Sequence, residues 1–258
     1  MSRKKLSRLE LKEALYRRRY LIPNIVTLAN LFAGFLTIIY AASGRFDKAV
    51  IAIAVAIVLD GIDGRVARRL NATSKFGLEF DSFADLVSFG VAPALLMYYW
   101  GFSLVADEFG VFVTFIFVLC AASRLVRFNI ADENMRVFVG LPTPGAAAMV
   151  AAIVNFEPFV TQQPGLIVLN SLIIVSLSFL MVSQVEFFSI KGLKIKGMHY
   201  GWRVLIGMLI ALIWYNHQIG FLALAGAYCA SGPLSLLKKK KAALSESGEE
   251  EEKSEKPE

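Results

Sequence analysis

The sequence predicts an all-α fold: a polytopic membrane helix bundle of about eight transmembrane helices, preceded by a juxtamembrane amphipathic helix. Three observations predict it. Hydrophobic residues make up 56% of the 258 and charged residues 19%, below the roughly 25% charge of soluble domains. The apolar residues gather into runs close to the roughly 20 residues that a spanning helix needs. All but two of the 27 Lys and Arg fall in alternate connecting segments, the asymmetry expected when cytoplasmic loops collect basic residues.

The elements follow in order. Residues 1–22 set Leu6, Leu9, Ala14 and Leu15 among basic residues. This pattern fits an amphipathic helix on the inner leaflet, where each basic group gains about 1 kcal/mol from anionic lipid. Plain positive-inside anchoring accounts for the same residues. No small-residue cleavage site follows a short apolar core, so the first apolar run is expected to remain as a helix. The runs are residues 25–42, 49–68, 80–99, 110–125, 145–160, 166–188, 204–215 and 219–234, the last two being short. With the N-terminus inside, the basic residues at 3–19, 65–75, 124–136, 191–203 and from Lys238 onward all face the cytoplasm. The outer loops keep only Arg45 and Lys48. Seven spans would put Lys238–Lys241 on the wrong side. The expected organisation is therefore a surface segment (1–22), a transmembrane domain (23–237) and a disordered charged tail (238–258), with both termini cytoplasmic. Cys120 and Cys229 lie far apart inside apolar runs, as buried thiols do. No internal repeat is visible, which weighs against transporters built from paired halves.

Ionisable residues inside spans are expensive and usually functional. Asp60 and Asp63 are three apart on one face of the second span. Asp81 and Asp85 are four apart on one face of the third. Asp63 and Asp81 lie at matching distances from the polar turn between the spans, and so do Asp60 and Asp85. In an antiparallel hairpin the four carboxylates would converge about two turns below the inner surface. Unpaired, they would repel one another in a low dielectric. A divalent cation resolves the conflict, and hard oxygen donors without Cys or His suit Mg²⁺ or Mn²⁺. Two ions could share the cluster and clamp a phosphate. Gly61, Gly64 and Ala67 remove bulk beside the acids, either for close helix packing or to leave room for a ligand. Arg68 could pair with a phosphate oxygen, and Gly77 opens the approach to the third span.

Together these residues form the pattern D-x-x-D-G-x-x-A-R-x8-G-x3-D-x3-D, read here from Asp60 to Asp85 with no departure. Eight fixed residues match by chance on the order of 10⁻¹⁰ per start position. The pattern resembles that of the CDP-alcohol phosphatidyltransferases. The resemblance implies a CDP-linked donor, an alcohol acceptor and released CMP. It implies that Asp60, Asp63 and Asp81 hold the metals, and that Asp85 is the general base and also touches the second ion. It implies that Asp60, Gly61, Gly64, Ala67, Arg68 and Gly77 contact the CDP part. The run Pro23-Asn24-Ile25-Val26-Thr27 is similar to the family's entry motif, so Asn24 and Thr27 would line the nucleotide pocket. Asn24 is equally suited to capping a helix.

Three further runs resemble the serine-using branch of that family: residues 86–93, 123–129 and 140–144. That resemblance implies CDP-diacylglycerol as donor and L-serine as acceptor, with membrane lipid and no nucleic acid among the partners; the charge placement puts the site on the cytoplasmic side. Homodimers are common in the family, which makes a homodimer the expected state. Serine carries a carboxylate, and its site wants a fixed cation. Arg124 and Arg127 sit at the inner end of the fourth span, with Asn129 and Ser88 as helpers. Positive-inside anchoring explains both arginines equally well. An acceptor such as glycerol 3-phosphate or an inositol compound could use the same arginines. A cation transporter would want polar groups along the other spans, and their outer halves are apolar.

Overall fold

A computed structural model of the chain describes residues 8–70, 74–104, 106–130, 140–157, 163–185, 187 and 216–254. Among these residues every regular element is helical. Helix α1 spans Arg8–Ala42, α2 Phe46–Leu70 and α3 Lys75–Asp85. A π-helical turn, Leu86–Val91, joins α3 directly to α4, Ala92–Gly101. Helices α5 (Asp107–Ile130), α6 (Thr143–Phe156), α7 (Pro164–Val182) and α8 (His217–Ser254) follow.

Among the described residues, four helical stretches are long and apolar enough to cross a membrane: Pro23–Ala42, Lys75–Gly101, Asp107–Ile130 and Gly165–Val182. Their outer faces are apolar as well. On α1, Ile25, Leu28, Phe32, Phe35 and Ile39 recur every three or four residues, each 45–61% exposed. A contiguous apolar stripe of this kind is a liability in water and is at home in lipid. The chain is a membrane protein.

These four correspond to four of the eight expected spans. Helix α2 falls short as an apolar span because Asp47 and Lys48 open it and Asp60, Asp63 and Arg65 dilute its second half. Helix α6 has 14 residues, about 21 Å of helix against a hydrocarbon core of about 30 Å. The span expected at 204–215 lies outside the described residues. Helix α1 runs unbroken through Pro23, where the sequence suggests a break. Such a proline is tolerated in a spanning helix when neighbouring groups meet the freed backbone. Helix α8 continues to Ser254, into the tail expected to be disordered. Ala242, Ala243 and Leu244 between the Lys and Glu runs are strong helix formers.

The third span is also more than one plain helix. Pro93 has no N–H, and its ring would strike the carbonyl four residues back. The π turn widens the helix just before it, and the Ala92 N–H bonds to the Val87 carbonyl five residues away.

Small residues bring the helices together. Ala33 and Ala41 on α1, and Ala49, Ala52 and Ala56 on α2, are all at most 7% exposed. Close approach of backbones through small residues is how helices associate in lipid, where apolar burial supplies little drive. Thr37 donates both to the Ala33 carbonyl (3.1 Å) and across to the Ala49 carbonyl (3.4 Å). The α1–α2 turn is a Schellman closure: the Gly44 and Arg45 N–H groups bond to the Ala41 and Tyr40 carbonyls.

One close contact joins α1 to the π turn. A Cβ on Gly34 would lie 2.4 Å from Ser88 Oγ and 2.7 Å from Ser88 Cα. The second of these is backbone and cannot swing away. Gly34→Ala should therefore cost about 1–3 kcal/mol, as overpacking does, and lower the thermal midpoint in detergent. A midpoint equal to the parent's would show that α1 and the π turn can separate freely.

Candidate active site

The four acids come together around α1. Carboxylate oxygens of Asp60, Asp63 and Asp81 all lie within 4.8 Å of one another. Asp85 stands beside them, its side chain in contact with that of Asp60. The sequence suggests that α2 and α3 meet as a packed hairpin. Instead they make little direct contact, and α1 packs against α2, α3 and the π turn. The cluster is a three-helix site, with α1 as its floor.

Successive turns of α1 reach successive parts of it. Asn24 lies against the start of α3, where its Oδ1 would be 3.2 Å from a Cβ on Gly77. Gly77 leaves that space open, and its N–H is capped by Ser74 Oγ at 2.9 Å. Thr27, 4% exposed, donates to the Pro23 carbonyl at 3.2 Å and faces Asp63 Oδ2 at 3.3 Å. Asn30, fully buried, donates to Asp85 Oδ1 at 3.5 Å. Ser88 Oγ returns a bond to the Asn30 carbonyl at 3.0 Å. Asn30 is the site residue that the sequence reading missed. Its signal was a polar side chain inside an apolar run, three residues after Thr27.

The remaining residues divide clearly. Asp63 is 4% exposed and accepts from the Gly64 N–H. Gly61 faces open space, with nothing within 4 Å of where its Cβ would be. Ala67 and Arg68 lie on the last turns of α2. Arg124, on α5, is half-buried and interacts electrostatically with Asp85 and with Tyr228. Its Nε is buried without a hydrogen-bond partner. Arg127 is exposed and donates to the Val182 carbonyl at 3.3 Å, closing the C-terminus of α7. Asn129 pairs with Ser82, tying the end of α5 to α3. Ser88 is fully buried and committed to the α1 contact.

The acids are suited to metal. The three converging carboxylates offer only hard oxygen donors, and Asp81 Oδ1 is buried with no partner. Unneutralised, such a set is costly in a low dielectric. An apolar groove between α7 and α8, lined by Leu172, Leu177, Cys229 and Pro233, shares no residue with this site.

The sequence pattern of the CDP-alcohol phosphatidyltransferases matches residues 20–182, which contain all four acids. The chain belongs to the CDP-alcohol phosphatidyltransferase family. Within this family it is 40% identical over 181 residues to a CDP-diacylglycerol–serine O-phosphatidyltransferase of Helicobacter pylori, covering 68% of this chain and 75% of that one. A protein of the same description from Bacillus subtilis is 38% identical over 167 residues, covering 64% and 89%. An archaetidylserine synthase of Methanothermobacter thermautotrophicus is 31% identical over 176 residues, covering 67% and 71%. The first two relatives and the third differ in the lipid they are named for and agree on serine. This family membership makes the chain an enzyme.

Proposed function

We propose that this phosphatidyltransferase moves the phosphatidyl group of CDP-diacylglycerol to the hydroxyl of L-serine, giving phosphatidylserine and CMP. The observation that carries the reading is the convergence of Asp60, Asp63 and Asp81, whose carboxylate oxygens lie within 4.8 Å of one another, with the half-buried Arg124 in electrostatic interaction with Asp85, in a chain whose relatives are named for serine. A carboxylate-bearing acceptor needs such a cation next to the base.

Asp60, Asp63 and Asp81 would hold two divalent ions, Mg²⁺ or Mn²⁺, with Asp85 at the edge of the set. Bound there, the metal neutralises the donor's diphosphate and the charge on the leaving CMP. The open space at Gly61, with Gly64, Ala67 and Arg68 along α2, receives the CDP part. Asn24, Thr27 and Gly77 border it. Asp85 accepts the proton of the serine hydroxyl. The serine oxygen then bonds to the phosphorus that carries diacylglycerol. The bond from that phosphorus to the CMP oxygen breaks, and CMP leaves with the electron pair. Arg124 holds the serine carboxylate so that its hydroxyl points at Asp85. Asn129 and Arg127 steady the neighbouring helix ends, and Ser88 steadies α1.

The acids lie toward the end of the bundle where α2 ends and α3 begins. Asp63 is about 10 Å from Leu70 along α2, and Asp81 about 9 Å from Lys75 along α3. That end carries Arg65, Arg69, Lys75 and Arg127, and the reading makes it cytoplasmic. The opposite end holds Tyr40, Tyr98 and Tyr99, aromatic residues of the kind that gather at membrane interfaces. The protein is taken to act as a homodimer, which a detergent-corrected mass measurement would check.

The deciding experiment incubates purified protein with CDP-diacylglycerol and Mn²⁺ and offers serine, glycerol 3-phosphate or inositol in turn. Serine should be the acceptor that raises CMP release. Release driven by glycerol 3-phosphate or inositol instead would replace serine as the acceptor.

A further inference from the structure

Asn30 is a fully buried amide inside the apolar run of α1. A polar side chain at such a place is expensive in lipid and is kept for contacts that an apolar one cannot make. Its side chain and its backbone both reach the end of α3. Nδ2 donates to Asp85 Oδ1 at 3.5 Å, and the backbone carbonyl accepts from Ser88 Oγ at 3.0 Å. Asp85 is the last residue of α3, and Ser88 lies three residues on, inside the π turn. One turn further along α1, Gly34 lets the same segment close in: a Cβ there would stand 2.7 Å from Ser88 Cα. These contacts fix the point where α3 gives way to the π turn, and one of them is made to the carboxylate itself.

Packing alone does not account for the amide. Asn30 Oδ1 is buried with no hydrogen-bond partner. A buried acceptor left unmet carries its full desolvation cost, which an apolar side chain in its place would avoid. The half of the amide that is satisfied is the half that meets Asp85.

We propose that Asn30 is a positioning residue for the base: its amide N–H holds the Asp85 carboxylate in the direction from which it takes the acceptor's proton. The proposal rests on the reading of Asp85 as general base. A base acts only within hydrogen-bond reach of the proton it removes. A carboxylate free to rotate about its side-chain bonds spends part of its time out of reach, and fixing it supplies orientation in advance. Helix α1 is suited to the task because it packs against α2, α3 and the π turn together. The helix that sets Thr27 against Asp63 at 3.3 Å thus also sets the base, and both ends of the acid cluster are referred to one rigid element.

The test compares Asn30→Ala and Asn30→Asp in the full chain, with serine and CDP-diacylglycerol varied separately in the presence of Mn²⁺. Asn30→Asp keeps the size and shape of the side chain and exchanges the Nδ2 donor for an oxygen. A packing role survives that change, and the hold on Asp85 does not. Both variants should lower kcat about tenfold or more, the usual worth of a hydrogen bond to a charged group. Both KM values should stay within about twofold of the parent, because a contact that serves the proton transfer shows in kcat. Asn30→Ala should keep the rise in thermal midpoint that Mn²⁺ gives the parent. In an Asp85→Asn background, Asn30→Ala should add less than about twofold, because the group that Asn30 aims is already gone.

A parent-like kcat in Asn30→Asp overturns the proposal, since shape alone would then suffice. A further tenfold loss on top of Asp85→Asn overturns it too, since Asn30 would be acting elsewhere. Loss of the Mn²⁺ shift in Asn30→Ala places the defect in the metal site, and failure of both variants to fold marks the amide as structural; either result overturns the proposal. Parent-like rates in Asp85→Asn alone sink the base reading and this proposal with it, a failure recognised by that single variant.

Discussion

Asp63→Asn is expected to lower serine-dependent CMP release by about a thousandfold or more, on the order of 4 kcal/mol of transition-state stabilisation. Asp60→Asn, Asp81→Asn and Asp85→Asn should do the same. The substitution keeps the size of the side chain and one acceptor oxygen, so the contact with Thr27 at 3.3 Å has a counterpart in the variant. What it removes is charge. Without metal, the carboxylates of Asp60, Asp63 and Asp81 crowd within 4.8 Å, and one fewer negative charge relieves that repulsion. The metal-free variant should therefore melt no lower than the metal-free parent. Mn²⁺ raises the midpoint only of a protein that binds it when folded. It should raise the parent's midpoint and leave that of Asp63→Asn nearly unchanged. Two measurements check the assignment: CMP release at saturating serine, and the thermal midpoint with and without Mn²⁺. Parent-like rates in any one of the four variants would remove that residue from the machinery. An unaltered Mn²⁺ shift in Asp63→Asn would remove Asp63 from the metal site even if activity were lost.

The acids were legible because helix geometry converts spacing into direction. Three and four residues return a side chain to the same face, so Asp60 with Asp63 and Asp81 with Asp85 had to point together. Their matched distances from the turn made their depths agree. Periodicity does not reveal which helix lies between two others. The sequence ties α1 to the site only through Asn24 and Thr27 of the entry motif, whereas in the structure Asn30 and Gly34 on the following turns also lie against it. The π turn at Leu86–Val91 was hidden for a related reason. Pro93 signals an interrupted helix, but hydropathy averages over the interruption. Span limits were blurred where charge enters a helix, as in α2, because the residues that make a buried site also dilute the apolar run that would announce it.

Arg124→Ala is expected to raise the serine KM about a hundredfold while leaving the CDP-diacylglycerol KM within about twofold, the loss of a charge-assisted, bidentate-capable partner being worth about 3 kcal/mol. Arg124→Lys should fall between, since a lysine keeps the charge and loses the fork. Arg127→Ala should leave the serine KM at the parent value. The two arginines are three residues apart on one helix and look interchangeable in sequence, and both fit the positive-inside pattern. Their surroundings separate them. Arg127 is exposed and already donates to the Val182 carbonyl, so its loss should loosen the end of α7 and lower the thermal midpoint slightly. Arg124 is half-buried, its Nε is shielded from solvent without a hydrogen-bond partner, and it interacts electrostatically with Asp85, an arrangement that membrane anchoring does not require. An anchoring arginine would be exchangeable with lysine at no kinetic cost. A lysine variant at position 124 with the parent's serine KM would therefore return Arg124 to that role, and a serine KM raised only in Arg127→Ala would move the carboxylate site to the outer surface of α5.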